Sequence, residues 1–338
     1  MKDSLQKVLQ EFERQHSDTR EHLFQVSLAA FNGKRAVLRG RVLAAADLAA
    51  LQQTLAADFP TLEVDLSAVK VLRRPEAQNF SVNTNLTSLH REPSWLAEQL
   101  TQMLYGFQVE ILEERGSWVF VRCTDGYLGW TYRPYLTGDA LPPATHLVIA
   151  PLSQMGSEPA ENAPLVTRVM GGTFVHLLES QGQWARVQAN QIGWLRVEDL
   201  RDLHNMPQTT PQRRAQMVTD AFRMVGVPYL WGGSSANGID CSGFARLVHR
   251  WSGLMLRRDA DMQMADGWPV ETEHLQPGDL VFFGEEGERR AITHVGISLG
   301  GWEIIHSSRS RNGVYTDNIQ QVEHLRQSFA GAVTYLEE

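Results

Sequence analysis

The chain has 338 residues and a net charge of −8, and 43% of its residues are hydrophobic and 21% charged. This length suggests roughly two to four folding units, and the composition is typical of a soluble globular protein. The sequence contains no run of five basic residues, which argues against a nucleic-acid partner. It also contains no apolar stretch long enough for membrane insertion.

The first residues predict an amphipathic helix. Its apolar residues recur at i, i+3, i+4 and i+7: Leu5, Val8, Leu9 and Phe12. The segment is charged throughout and lacks the apolar core of a secretory signal. The two cysteines of the chain do not have the spacing of a disulfide framework. We therefore expect a cytoplasmic protein.

The next segments predict a small α+β N-terminal cap over residues 1–75. KRAVLRGRVL, AADLAALQQTLAADF and TLEVDLSAVKVL have the patterns of a strand, a helix and a strand. No catalytic motif occurs here, so we expect the cap to serve packing or to shape a substrate cleft.

The middle of the chain contains an internal repeat, GFQVEILEERGSWVFVRCTDGYLGWTYRPYL from Gly106 and GTFVHLLESQGQWARVQANQIGWLRVEDL from Gly172. Five matched positions are 66 residues apart. Each copy alternates apolar and polar residues between glycine turns, which predicts an antiparallel β unit. The shared pattern V-x-x-L-E…G-x-W…GW resembles bacterial SH3-like domains, and we assign them residues 76–140 and 141–205. An unrelated small β-barrel with two core tryptophans is the alternative.

A glycine-rich stretch, YLWGGSSANGIDCSGFARLVHRW, leads into a helix that begins near one of the two cysteines. The apolar residues after this cysteine share one helical face: Phe244, Leu247, Val248 and Trp251. Asp240 is a favourable N-cap residue, so Cys241 is predicted in the first turn, where the positive end of the helix favours a thiolate. A lone cysteine is more often a buried apolar residue, which is what we expect of Cys123 in WVFVRC. His249 is expected on a solvated face of the helix.

A reactive thiolate needs a base, and THVGISLGGWEIIHSS offers His294 and His306 on two predicted strands. A two-residue loop at 300–301 would pair His306 with Val295, on the wrong face. A three-residue loop from Leu299 would place His306 opposite His294. The histidines therefore cooperate only if the hairpin has an odd loop or a bulge. In that case His294 is the base and His306 orients its ring.

Four motifs occur in order after residue 213: PYLWGG…GIDCSGF, PGDLVFF, THVGI and IIHSS. Together they resemble the NlpC/p60 family of papain-like cysteine peptidases, which act on bacterial cell-wall peptides. The resemblance implies a catalytic domain, a helix packed on an antiparallel sheet, over residues 206–338. It also implies that Cys241 is the nucleophile, His294 the base and His306 the orienting residue. No metal or other cofactor is implied.

Two SH3-like units before such a domain make the chain similar to the γ-D-glutamyl-L-diamino-acid endopeptidases, which recycle murein peptides. In those enzymes the first SH3-like domain closes one end of the cleft, so the substrate has a free N-terminal L-alanine. The resemblance implies substrate contacts at six positions: Tyr229, Trp231, Asp240, Ser242, Asp259 and Tyr127. Helix capping is the alternative for Asp240, and a core position is the alternative for Trp231. The family's serine in R-D-A-S-x-Q is replaced by Ala260 or Asp261, so one polar contact differs.

The sequence thus predicts a multidomain α+β protein that hydrolyses the γ-D-Glu–diamino acid bond of murein tripeptides or tetrapeptides. A broader extracellular murein hydrolase and a non-catalytic peptide-binding protein are the alternatives. An inert relative would be expected to lack the nucleophile or the base, and both are present, which argues against the binding protein. The diamino acid and the oligomeric state stay open.

Overall fold

The computed structural model describes residues 1–74, 79–285 and 291–336. Residues 76–78 of the predicted first SH3-like domain, and residues 286–290 and 337–338 of the predicted catalytic domain, lie outside the described residues. The α-helices of the described residues are α1 (Lys2–Gln15), α2 (Ala45–Asp58), α3 (Thr210–Phe222), α4 (Cys241–Trp251), α5 (Ala260–Asp266) and α6 (Glu323–Ser328).

The strands of the described residues are short, and most pair antiparallel. They are β1 (Phe24–Phe31), β2 (Arg35–Val42), β3 (Glu63–Val71), β4 (Asn79–Val82), β5 (Leu86–His90), β6 (Gln99–Leu104), β7 (Gln108–Arg115), β8 (Trp118–Cys123), β9 (Leu128–Tyr132), β10 (Leu136–Thr137), β11 (His146–Val148), β12 (Leu152–Gly156), β13 (Leu165–Met170), β14 (Phe174–Gln181), β15 (Trp184–Gln188), β16 (Ile192–Arg196), β17 (Leu200–Asp202), β18 (Ser234–Ser235), β19 (Gly238–Ile239), β20 (Trp268–Val270), β21 (Leu280–Glu285), β22 (Ala291–Gly300), β23 (Glu303–Ser308), β24 (Gly313–Asn318) and β25 (Phe329–Thr334).

The chain divides into two compact units, Met1–Phe80 with Gln108–Pro134, and Ser81–Phe107 with Tyr135–Glu338. A compact unit can hold more than one domain, so the boundaries of the four predicted domains stay a prediction. No helix of the described residues is both long enough and apolar enough to cross a membrane.

The first unit begins with a three-stranded sheet of order β1-β2-β3. The predicted strand, helix and strand of the cap are confirmed as β2, α2 and β3, whereas β1 was not predicted. Strands β2 and β3 pair in parallel, which requires a crossover, and α2 supplies it. The helices and the sheet share one apolar core, whose most deeply buried residues are Leu5, Ala36, Leu38, Val42, Leu51 and Leu55.

The internal repeat is confirmed at the level of the backbone. In the first copy β7 pairs with β8, and the register shifts around Leu112. In the second copy β14 pairs with β15, and the register shifts around Leu178, 66 residues later. The turns after these strands contain Gly116 and Gly182, whose φ values are 60° and 58°. The two copies therefore share a bulge and a left-handed glycine turn at matching positions.

The second unit contains the site-bearing sheet, of order β20-β25-β21-β22-β23-β24, in which all neighbours are antiparallel. Helix α4 lies against it, and the shared core includes Phe244, Val248, Trp251, Phe282, Val295 and Ile305. This is the predicted helix on an antiparallel sheet.

The expectation for His249 was wrong, because its side chain is fully buried. The end of α4 is covered by the second repeat as well as by the sheet: Trp251 Nε1 donates to the carbonyl of Val148 at 2.8 Å, and Arg250 Nε donates to that of Gly172 at 2.7 Å. His249 Nδ1 donates to the Ala245 carbonyl at 2.8 Å. A helix covered on two sides has no solvated face at this position.

Candidate active site

Cys241 is the first residue of α4, and Asp240 is its N-cap. The Asp240 carboxylate accepts a hydrogen bond from the Gly243 N–H at 2.7 Å, which satisfies one of the free N–H groups of the first turn. The glycine-rich loop folds closely onto this turn. A Cβ built on Gly243 would lie 2.2 Å from the Gly233 carbonyl oxygen, so only glycine fits there.

The Cys241 thiol lies beside strand β22. Its sulfur accepts backbone hydrogen bonds from Val295, the residue after His294, and from Ser242. The residue is 8% exposed, and burial raises the pKa of the thiol, with a further contribution from the negative charge of Asp240. The predicted stabilisation of a thiolate by the helix terminus is therefore outweighed, and the resting group is the neutral thiol.

His294 contacts His306 through its ring, with His294 Nε2 at 2.7 Å from His306 Nδ1. Its ring also lies 5.5 Å from that of Phe283, centroid to centroid. Burial and the neighbouring His306 lower the pKa of His294, so the ring is neutral at pH 7. Since Nε2 is engaged, Nδ1 is the nitrogen left to accept a proton.

The hairpin that joins the two histidines contains a bulge. It has neither the two-residue loop at 300–301 nor the three-residue loop from Leu299. Gly300 pairs with Glu303, and the register shifts at Leu299, after which Ser298 pairs with Ile304. His306 consequently lies beside Gly296, where an added Cβ would come 3.2 Å from the His306 Cβ. His294, two residues from Gly296, points to the same face, and glycine leaves room for the two rings to meet.

His306 is 1% exposed and has a second partner that sequence reasoning missed. Its Nε2 lies 2.9 Å from Oδ2 of Asp317 on β24. The other oxygen of Asp317 accepts a hydrogen bond from Arg311 at 2.6 Å. The motif IIHSS does not indicate a carboxylate eleven residues later. A prediction that a third strand pairs with β23 could have suggested that a residue of that strand contacts His306.

Arg258 is the second residue that sequence reasoning missed. It is 1% exposed and donates to both oxygens of Asp240, at 3.1 and 2.5 Å. It also donates to Ser242 Oγ at 2.8 Å and to Thr101 Oγ1 at 2.7 Å. Gly232 N donates to Asp240 Oδ2 at 2.9 Å. Asp240 therefore caps the helix and is neutralised by Arg258, and Ser242 is part of the same buried network.

The segment before and within β6 contacts the glycine-rich loop. Gln102 Oε1 accepts from Ser234 N at 2.9 Å and from Ser235 Oγ at 3.0 Å. Trp231 is 58% exposed, so it is not a core residue, and its Nε1 donates to Glu98 at 3.0 Å. A part of the predicted first SH3-like domain thus lies against the loop that precedes Cys241.

The other predicted contacts are placed as follows. Tyr229 is half-buried, and burial together with the nearby Cys241 and Asp240 raises the pKa of its hydroxyl, which stays protonated. Asp259 is half-buried and directly precedes α5. Tyr127 is 4% exposed and belongs to the other compact unit, so its substrate contact stays a prediction.

A buried thiol at a helix start, beside a strand that carries a histidine oriented by a second histidine, defines a thiol hydrolase site. In the described part of the chain, no three His, Cys, Asp or Glu side chains are grouped as metal ligands would be.

Comparisons with known proteins agree with this class. The NlpC/P60 family matches residues 226–332, and a bacterial dipeptidyl-peptidase Sh3 domain matches residues 89–131. The chain is 31% identical over 266 residues, 72% of its length and 78% of the relative's, to a gamma-D-glutamyl-L-lysine dipeptidyl-peptidase of Bacillus cereus. It is 28% identical over 276 residues, 76% of its length and 97% of the relative's, to dipeptidyl-peptidase 6 of Lysinibacillus sphaericus.

A crystal structure of an NlpC/P60 family protein from Bacillus cereus superimposes with a TM-score of 0.68 at 25% identity, covering 77% of this chain and all of the other. The chain belongs to the NlpC/P60 family of cysteine peptidases. The family resemblance and the multidomain α+β fold predicted from the sequence are confirmed.

Proposed function

We propose that the protein hydrolyses the γ-D-Glu–diamino acid bond of short murein peptides that have a free N-terminal L-alanine. The observation that carries the proposal is the pairing of His294 with His306 on the sheet whose residue Val295, next to His294, contacts the Cys241 sulfur. The chain is also similar over most of its length to a γ-D-glutamyl-L-lysine dipeptidyl-peptidase. Tripeptides and tetrapeptides are the substrates of suitable length.

In the first step His294 Nδ1 takes the thiol proton while the Cys241 sulfur bonds to the γ-carbonyl carbon of D-Glu. His294 then gives this proton to the leaving amine as the C–N bond breaks, which leaves a thioester. Water, deprotonated by His294, hydrolyses the thioester and restores the thiol. The backbone N–H of Cys241 and the protonated Tyr229 hydroxyl are suitable donors for the oxyanion.

We assign the substrate ammonium to Asp259 in preference to Asp240. The Asp240 carboxylate already has a cation, Arg258, and two backbone donors. Asp259 follows Arg258 directly and is half-buried. We assign an apolar wall of the cleft to Trp231, which is exposed in the glycine-rich loop before Cys241. The contacts of Gln102 and Glu98 with this loop support a cleft closed at one end.

We also propose that the protein acts in the cytoplasm, on peptides released during cell-wall recycling. Neither Cys123 nor Cys241 forms a disulfide bond within the described residues, which fits a reducing compartment. A substrate with an unblocked L-alanine is a product of earlier cleavage of murein, in which a lactyl amide blocks this amine. Fractionation of the producing cells, with detection of the protein, tests the location.

The decisive experiment compares free and N-acetylated L-Ala-γ-D-Glu-L-Lys, and the corresponding diaminopimelate peptides, by mass spectrometry. We expect release of L-Ala-D-Glu from the free peptides and none with Cys241→Ala. Loss of an ammonium–carboxylate hydrogen bond costs about 1.5–3 kcal/mol, so acetylation should lower kcat/KM roughly ten- to a hundredfold. Equal cleavage of both forms, or rapid cleavage of intact murein, would favour the broader extracellular hydrolase.

A further inference from the structure

Asp317 is a half-buried acceptor at one end of a row of three hydrogen-bonded side chains, Asp317, His306 and His294. It lies on β24, where its register partner on β23 is Ile304, two residues before His306. Its side chain is 16% exposed, and its Oδ2 lies 2.9 Å from His306 Nε2. His306 Nδ1 in turn lies 2.7 Å from His294 Nε2. The contacts therefore run from Asp317 through His306 to His294, and the residue after His294, Val295, donates its backbone N–H to the Cys241 sulfur.

This order fixes where the protons lie. An ionised carboxylate only accepts hydrogen bonds, so His306 Nε2 carries a proton. Burial lowers the pKa of His306, so its ring is neutral and its Nδ1 has a lone pair. The atom that faces this lone pair, His294 Nε2, must then donate. His294 Nδ1 is left unprotonated, as the acceptor of the thiol proton requires.

Arg311 holds the carboxylate in this role. Its Nη1 donates to Asp317 Oδ1 at 2.6 Å and to the Thr316 carbonyl at 2.9 Å. One carboxylate oxygen is thereby reserved for Arg311 and the other for His306. Among the described residues, His324 on α6 also acts on the two rings, and its charge disfavours a positive charge on either of them.

We propose that Asp317 is a positioning residue that sets the tautomers of His306 and His294, so that His294 presents an unprotonated Nδ1 to the Cys241 thiol. The proposal rests on the proposed roles of Cys241 and His294, and it is independent of which peptide is the substrate.

The first test is Asp317→Asn. Arg311 needs an oxygen, so it should keep the amide oxygen and turn the amide NH2 towards His306 Nε2. The proton of His306 then moves to Nδ1, His294 must accept at Nε2, and its Nδ1 carries the proton that faces the thiol. We expect kcat to fall about tenfold or more with KM nearly unchanged. A kcat equal to that of the unmodified protein would overturn the proposal.

The second test is Asp317→Asn combined with Arg311→Ala. Without Arg311 the amide is free to turn its oxygen to His306, which restores the productive tautomers. The double variant should therefore recover part of the lost kcat. A residue that only stabilises the hairpin predicts the opposite, since removing two contacts is worse than removing one. A double variant no faster than Asp317→Asn, at equal thermal stability, would overturn the tautomer argument.

Nitrogen-15 NMR of histidine-labelled protein reads the tautomers directly, even if the variants do not fold. In the unmodified protein the protons of His306 and His294 should both lie on Nε2. A proton on His306 Nδ1 would overturn the proposal. Asn318→Ala is the matched control on the same strand: it removes the hydrogen bond to Glu303 and should leave both the tautomers and kcat unchanged.

Alkylation by iodoacetamide separates this proposal from the choice of substrate. In a Cys123→Ser background, Cys241 should react about tenfold more slowly in Asp317→Asn, because the proton acceptor for the thiol is lost. If the alkylation rate and the NMR spectra change as expected while no murein peptide is cleaved, the substrate proposal fails and this one stands. An unchanged alkylation rate would overturn it.

Discussion

The two ends of helix α4 are held by different chemistry. At the N-terminal end, Asp240 and Arg258 form a buried ion pair, joined by Thr101. At the C-terminal end, Trp251 and Arg250 donate to the main-chain carbonyls of Val148 and Gly172 in the predicted second SH3-like domain.

The difference shows which end of α4 depends on the identity of particular side chains. Any residue offers a main-chain carbonyl, so the hydrogen bonds at the C-terminal end do not depend on particular side chains of the predicted second SH3-like domain. Close packing still requires glycine at Gly171 and Gly172, where an added Cβ would lie 2.7 Å from Trp251 and from Leu247. The N-terminal end depends on the chemistry of particular side chains, such as the Gln102 amide that accepts from Ser234 and Ser235. Catalytic geometry is needed at that end, beside the thiol. The four predictions that follow test this contrast.

Arg258→Met should have the largest effect. It leaves the Asp240 carboxylate buried without its cation, and breaking a buried pair in this way costs about 3–5 kcal/mol of unfolding free energy. Urea denaturation measures this loss. Arg250→Met is the control at the other end, where Arg250 contacts a carbonyl and the Phe174 ring and burial lowers its pKa to about 9. Its loss should cost much less.

Adding Asp240→Asn to Arg258→Met should restore much of the stability, because asparagine still caps a helix and leaves no buried charge. Equal destabilisation by Arg258→Met and Arg250→Met would show that the two ends do not differ.

His249→Gln should remove a pH dependence from the C-terminal end. Burial lowers the pKa of His249 from 6.5 to about 4. Between these two pH values His249 is therefore protonated in the unfolded chain and neutral in the folded protein. The stability is therefore full above pH 6.5 and falls as the pH drops to about 4, by about 3 kcal/mol. Denaturation between pH 7 and 4 should show a smaller fall in the variant. Parallel curves for the two proteins would contradict the assignment.

Trp251→Phe should affect stability without affecting catalysis. It removes one of two donors to the Val148 carbonyl, which keeps the Gly172 N–H at 2.8 Å, so the lost hydrogen bond costs about 0.5–1.5 kcal/mol. This end of the helix does not touch the reacting groups. We therefore expect kcat/KM to stay unchanged when the concentration of active protein is determined by alkylation of Cys241. A lower kcat/KM in the fully folded Trp251→Phe variant would show that the two ends of α4 are coupled.

Features that depend on local sequence patterns could be predicted, whereas features that depend on tertiary contacts could not. The apolar spacing of Phe244, Leu247, Val248 and Trp251 predicted α4, and the cap at Asp240 predicted its start, because both are local. The repeat was predicted because its two copies share spacing. Strand β1 was missed although its sequence carried the signal, since Phe24, Val26 and Leu28 face the core and alternate with exposed residues.

The site was predicted only where a motif marks it. Cys241, His294 and His306 lie in motifs, whereas Arg258 and Asp317 were missed because their partners are set by tertiary contacts. The thiol pKa was misjudged for a similar reason. The helix terminus is visible in the sequence, but burial, which raises the pKa, is a property of the fold.

Glu98→Ala should have the smallest effect, at the exposed edge of the N-terminal end. Glu98 accepts from Trp231 Nε1 and pairs with Arg91 at 2.6 Å, in solvent, where such contacts contribute less than about 1 kcal/mol. Thermal unfolding should therefore hardly change. The released Trp231 ring should bind the peptide less well, so we expect KM to rise about two- to threefold, equivalent to about 0.5 kcal/mol, with kcat unchanged. Glu98→Gln keeps an acceptor for Trp231 and should restore KM. If KM is the same in all three proteins, Trp231 does not contact the substrate, and the polar contacts at this end serve the fold alone.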